Sequence, residues 1–344
     1  MEMSGFKKDN HYVPQAYLRQ WMINGKVLTY RLLVPHEKSA VWKPYAPKSV
    51  AMLPHLYTYF SGAKDSDEIE QWLDREFEAP GFASIAKVVK EARLTKEDWN
   101  HLFRFAVVQS IRTPAHMQSF LKRQDETLGA FMIESMEASL ANYSAALTAG
   151  ARPKPVPLSG LHSKLPFKLR RFKNADGEEY LEGQILSGRK LWLWQIEHIL
   201  QSTIDRIPSH KWTILHAPPG VTWPTTDNPF TRLGVGQNGK WSFEGGWGVQ
   251  RTRLFMPLSP KHLLFACAGF RPPRRGTVLS LAEAAFYKMM ILTGASRYVF
   301  STDTHDIEDA RPRTVSREMF EEESRLWADW HETQSKEEAL YPDH

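Results

Sequence analysis

Between residues 65 and 147 apolar side chains recur every three or four positions, and only Pro80 and Pro114 interrupt the pattern, so this block has to be helical. Ile69, Trp72, Leu73 and Phe77 share one face of a first helix, which Pro80 and Gly81 should end, and a second runs over about 82–92. Thr95 is the expected N-cap of the next, with Glu97 and Asp98 in a first turn where carboxylates offset the helix dipole. Pro114 should break or kink that helix before periodicity resumes. On both sides of the block the pattern is strand-like. Residues 25–33, GKVLTYRLL, alternate loosely, and the runs around Val41 and over 55–60 offer partners. Beyond an amphipathic helix over about 188–207 come the pieces KWTILHA, TRLFMPL and HLLFACAG, then helices over 281–293 and 316–330. The expected fold is α+β, with a helix-rich N-terminal half carrying a small β-sheet and a mixed α/β C-terminal half. No repeat and no regular strand-helix alternation of a doubly wound fold is present. The natural divisions are 1–150, a basic proline-containing connector at 151–187, and 188–344, packed together as one composite unit. GVGQNGKWSFEGGWG, residues 234–248, lacks the setting of a phosphate loop and reads as hairpin turns.

With 42% hydrophobic residues, a chain of 344 can bury a substantial core. The single cysteine, Cys267, has no intrachain partner, and its apolar setting predicts a buried, inert thiol in a reducing cytoplasm. MEMSGFKKDN lacks the apolar centre of a signal peptide, and no apolar run is long enough for a membrane helix. The net charge of +5 matters through its placement. Arg152, Lys154, Lys164, Lys168, Arg170, Arg171 and Lys173 follow one another without an acidic residue. This stretch is either a polyanion surface, with Lys168, Arg170 and Arg171 as substrate contacts, or a connector kept soluble by its charge.

Three polar groupings stand out against the apolar background. In NHYVPQAYLRQW, Pro14 suits the first turn of a helix that would align Gln15 with Arg19. His11 sits at its entrance, and Tyr17, Leu18 and Trp21 cover the core side. In FRFAVVQSIRTPAHM, a helix would line up Gln109, Arg112 and His116. A buried Arg112 needs an acid, and Asp227 in TTDNPF is the nominee, beside Asn228. A bland alternative exists for each: His11 and Arg19 tether a chain end, and TTDNP is an Asx-type turn. There is no nucleophile elbow and no Cys-His cluster. The cofactor stays open, and His11 with Asp227 is the one arrangement offered for a divalent metal.

Taken together, HYVPQAYLRQW, QSIRTP, TTDNPF and MPLSP resemble, in order and spacing over about residues 8–302, a mainly bacterial family known as domain of unknown function 4238. The resemblance implies that His11, Pro14, Gln15, Arg19, Arg112, Asp227, Asn228 and Pro257 are the positions that matter. It brings no mechanism, and its biological hint is a role in conflict with mobile elements. Thr226 and Phe230 stand where the family pattern shows serine and an aliphatic residue. From the residues themselves the leading expectation is a hydrolase of a phosphate-containing substrate, a nuclease or nucleotide-processing effector. His11 would move the proton, Arg19 and Arg112 would steady the phosphate, and Asp227 would orient the histidine or hold a cation. The alternative is a non-catalytic nucleic-acid-binding or protein-interaction protein in which the same polar cluster is structural.

Overall fold

The strand Lys26–Arg31 decides how the two halves of the chain meet. In the computed structural model, which describes residues 8–61, 64–151, 166–173, 179–236 and 239–340, it pairs antiparallel with Tyr298–Ser301 from the far end of the chain. Thr225–Thr226 joins beyond Tyr298–Ser301, while Met22–Ile23 and Trp42–Tyr45 pair with Lys26–Arg31, so one sheet belongs to both halves. The run over 55–60 does not join it. His55 has φ 56°, which turns the chain; Met52–Pro54 ahead of it pairs with Asp9–His11, and Tyr59–Ser61 after it forms a hairpin with Lys64–Ser66. The class is α+β as expected, but the N-terminal half is not clearly helix-rich, because short strands dominate everything before Glu68.

A six-stranded sheet occupies the C-terminal half, in the order Trp241–Ser242, Thr231–Val235, Arg253–Pro257, His262–Cys267, Thr213–His216, Thr277–Val278. Its Thr231–Val235 and Trp241–Ser242 strands form the hairpin read from the glycine-rich run. Gly245 earns its place there by contact: a Cβ would lie 2.8 Å from the Gly234 nitrogen. Cys267 is partly exposed rather than buried, and desolvation raises its thiol pKa.

The opening helix α1, Gln15–Leu18, is short and tightens into a 3-10 turn over Arg19–Trp21. Pro14 precedes it in extended conformation rather than entering its first turn, and Tyr17, Leu18 and Trp21 are buried as the pattern required. Helix α2, Glu68–Leu73, does not stop at Pro80. It widens into a π-turn over Asp74–Glu78 and continues as α3, Ala79–Val89. Pro80 has no N–H to give and its ring crowds the carbonyl one turn back; an extra residue in that turn relieves both conflicts. Gly81 then lets α3 close on α4, Lys96–Ile111, because a Cβ there would meet Phe105 at 2.9 Å. Thr95 caps α4 through a capping box: its hydroxyl accepts the Asp98 N–H at 3.2 Å, and the Asp98 carboxylate accepts the Thr95 N–H at 2.8 Å.

Pro114 ends α4 and starts α5, Pro114–Thr148. As the residue before proline, Thr113 is extended (φ −83°, ψ 151°), and from there its hydroxyl accepts the His116 N–H at 3.2 Å. The proposed connector is only partly within the described residues, since 152–165 and 174–178 lie outside them. Phe167–Lys173 and Glu179–Ile185 form a hairpin whose register sets Glu182 opposite Arg170. Helix α6, Arg189–His198, runs on through π and 3-10 turns to Arg206. After α7, Leu281–Thr293, and the short α8, Ile307–Ala310, the last helix is α9, Arg317–Glu338. A buried pair fixes α9 to α6, with Arg189 Nη2 2.8 Å from a Glu338 carboxylate oxygen. Trp327 and Trp330 pack partly buried against the main core. No helix among the described residues is long and apolar enough to cross a membrane.

The contact of Gly81 with Phe105 gives a direct test of the α3–α4 packing. Gly81→Ala should destabilise the protein by about 1–3 kcal/mol in denaturant unfolding, although alanine favours helices elsewhere.

Candidate functional site

Arg112 ends α4 and is fully buried at 1% exposure. Its acid is Glu78, on the π-turn, and not Asp227. Its other two nitrogens are also engaged: Nη2 donates to the His11 carbonyl at 2.7 Å, and Nε donates to the Tyr57 hydroxyl at 3.0 Å. Tyr57 returns its O–H to the Arg112 carbonyl at 2.8 Å and lies beneath the guanidinium, 4.9 Å from ring centre. Burial works against the charge, but Glu78 and Tyr57 together outweigh it and hold the guanidinium firmly protonated. Each of the three Arg112 nitrogens is therefore bonded within the protein.

The residues expected around it do assemble. His11, Gln15, Arg19 and Arg112 line one cavity of about 260 Å³. Three acids that the sequence reading missed share that wall: Glu70, Asp74 and Glu78, spaced four apart along α2 and the π-turn. The spacing was available as a signal, since residues four apart share a helix face. Glu70 accepts a hydrogen bond from the Asn10 amide, and a His11 ring N–H donates to the Lys48 carbonyl at 3.2 Å. Arg19 is exposed at the rim. With Arg112 neutralised by Glu78, the remaining acids make this cavity unwelcoming to an anion.

Asp227 lies elsewhere, 3% exposed, with its two carboxylate oxygens accepting the Ser296 N–H at 2.9 Å and the Arg297 N–H at 2.8 Å. It splices TTDNP to the approach of strand Tyr298–Ser301 and is neither a partner for Arg112 nor a metal ligand with His11. Burial pushes its carboxyl up to about 6, against the pull of the backbone N–H groups. The opening motif is bonded to the same region by its aromatic residues. Tyr17 O–H donates to the Pro257 carbonyl at 2.5 Å and lies 2.7 Å from Thr225 Oγ1, and Trp21 Nε1 donates to the Trp223 carbonyl at 2.7 Å. Thr226 Oγ1 accepts the Asn228 N–H at 3.2 Å, a bond that serine would also make, and Phe230 stacks on Trp247 at 5.0 Å.

The α4–α5 corner also separates the expected Gln109, Arg112 and His116 stripe. Gln109 is fully buried, and neither of its amide atoms finds a hydrogen-bond partner among the described residues. His116 turns to a second, larger cavity of about 810 Å³, which Asn228 lines as well. Asn228 receives the Thr113 hydroxyl at 3.3 Å and donates to the Gly294 carbonyl at 3.3 Å. Lys122, Arg123 and Arg232 line the same cavity, with Glu126 and Glu244. Among the described residues neither Arg123 nor Arg232 forms an ion pair, and burial followed by the charge of Arg123 lowers the pKa of Arg232. Burial and these two arginines push His116 down to about 3, and its ring is neutral at physiological pH. Its Nδ1 is buried and has no hydrogen-bond partner among the described residues. The basic strand is less available: Lys168 donates to the Leu340 carbonyl, and Arg170 is exposed opposite Glu182. Arg171 lies in the same strand.

The profile of the family described as "Protein of unknown function (DUF4238)" matches residues 9–305, and the chain belongs to that family. No curated protein matches it, and no solved structure does.

Two outcomes follow from this geometry. Glu78→Ala strands a buried guanidinium and should cost about 3–5 kcal/mol in denaturant unfolding. For Asp227 the folded pKa is raised, so its contribution is fully present below the ordinary aspartate value and is lost as pH rises toward about 6. Unfolding free energies measured across that window should fall with rising pH in the parent, and Asp227→Asn should flatten that part of the curve.

Proposed function

We propose that the protein is a hydrolase of a phosphate-bearing substrate, a nucleotide or nucleic acid, and that the phosphate lies in the cavity between α5 and the Thr231–Val235 strand. The observation that carries this reading is the unpaired arginine couple, Arg123 and Arg232. The exposed Arg123 faces the same cavity as Arg232, whose own charge burial and Arg123 disfavour, and together they form a positive hole that an anion would fill. Asn228 and Lys122 add donors on the same wall. His116 takes the proton-transfer role first assigned to His11. Its neutral ring offers Nδ1 as a base, and a bound dianion would raise its pKa from about 3 toward the working range.

The second reading, a non-catalytic binding protein with a structural polar cluster, draws on Arg112, whose three nitrogens each bond within the protein. The two readings share the cationic cavity and differ only in turnover.

Titration of the full chain with ATP and with short single-stranded RNA and DNA separates them. Binding should weaken steeply with salt and fall by about tenfold or more in Arg232→Ala. Product analysis with and without divalent metal should show cleavage that His116→Ala abolishes; binding without cleavage selects the second reading, and equal affinity in Arg232→Ala removes both. NMR titration of His116 should give a pKa near 3 in the free protein, moving upward when phosphate is added.

A further inference from the structure

The cross-strand register of the six-stranded sheet sets His216 directly opposite His262, so both imidazoles stand on one face. Their rings are 4.9 Å apart at 87°, edge to face. Glu91, in the turn after α3, brings its carboxylate to the same point. One ligand atom from each of the three lies within 4.8 Å of the other two, and His262 Nε2 is 3.9 Å from Glu91 Oε1. That is too far for a hydrogen bond. It is close to the separation of about 3.4 Å between two atoms that each bind one zinc ion at 2.0–2.1 Å in tetrahedral geometry.

Two further observations single out this cluster. His262 is 3% exposed, and its Nε2 is a buried polar atom with no hydrogen-bond partner among the described residues. A buried donor or acceptor left without a partner is destabilising unless something fills it. The rest of the ring is fixed for the purpose: Nδ1 lies 2.8 Å from Ser259 Oγ, which also accepts the N–H groups of Lys261 and His262 at 3.2 Å. An outer-shell hydrogen bond of this kind orients a metal-binding histidine.

Glu91 supplies the second observation. It has φ 54°, in the residue just past the C-cap, where the Glu91 N–H bonds the Val88 carbonyl at 2.9 Å and the Ala92 N–H bonds the Lys87 carbonyl at 2.9 Å. This is the helix-ending arrangement in which glycine is the usual residue, and a side chain there carries a backbone penalty. A glutamate held in that position, with its carboxylate toward two histidines, is an outlier that suggests a use.

The geometry points to a site for a divalent transition-metal ion, zinc foremost, held by His216, His262 and Glu91. Two imidazoles and one carboxylate are a donor set suited to zinc, and with three protein ligands a coordination position is left open for water or an anion. Nearby cations do not occupy the carboxylate: Arg275 donates to the Ala92 carbonyl at 2.7 Å, and neither it nor Lys261 forms an ion pair with Glu91 among the described residues. His55, Asp65 and His331 form a second grouping, less suited to a cation, because the two rings stack in parallel at 3.6 Å and Arg189 donates to His331 Nδ1 at 3.0 Å. The zinc site stands whether or not the phosphate reading holds.

The test is titration of the chelator-stripped full chain with Zn²⁺, and with Co²⁺ followed through its visible absorption. The parent should bind one Zn²⁺ per chain at this site, and His216→Asn and Glu91→Gly should each weaken it by about tenfold or more. His331→Asn should leave it unchanged. Glu91→Gly removes the backbone penalty with the carboxylate, so its unfolding midpoint should be no lower than the parent's, and lost binding cannot then be ascribed to misfolding. Absence of stoichiometric Zn²⁺ binding, affinity unchanged in both His216→Asn and Glu91→Gly, or loss confined to His331→Asn would each overturn the assignment.

Discussion

A guanidinium taken fully out of water must be neutralised where it lies, and the position of Arg112 organises the elements around it. Glu78 neutralises it from the π-turn, Tyr57 covers one face, and the His11 carbonyl takes a further donor. These partners fix where α4 stops, how α2 and α3 pass it, and where the opening motif enters the core. The next residue, Thr113, caps α5 and reaches Asn228, while Tyr17 and Trp21 of the opening motif bond to Pro257, Thr225 and Trp223. All four sequence motifs that mark the family therefore meet through buried or partly buried hydrogen bonds.

That convergence leaves a cavity of different charge on each side. On one side of the α4–α5 corner the cavity holds His11, Gln15 and Arg19 with Glu70, Asp74 and Glu78, and its charge is settled internally. On the other, Arg123 and Arg232 face a cavity, and among the described residues no acid is paired to either. The excess positive charge of the chain thus has a local expression away from the basic strand at 167–173, where the hairpin register sets Glu182 against Arg170.

Much of the fold was legible because local chemistry decided it. The Thr95 cap, the break at Pro114, the helix over 281–293 and the burial of Tyr17, Leu18 and Trp21 all follow from rules spanning a few residues. Pro80 misled for a reason equally local in kind, since a helix can absorb a proline by widening one turn when packing on both sides holds it. The site was legible as membership and not as pairing. His11, Gln15, Arg19 and Arg112 do share a cavity, but Glu78 rather than Asp227 answers the arginine, and His116 belongs to a different cavity.

By itself the sequence determined the α+β class, the principal helices and the need for an acid beside Arg112, since periodicity, capping and the penalty for an unpaired buried charge act on the chain wherever it folds. Only the tertiary structure decided which acid, which strands pair across the two halves, and which arginines remain without one. Charge pairing and strand register join residues far apart in the chain, and no spacing rule reaches across that distance.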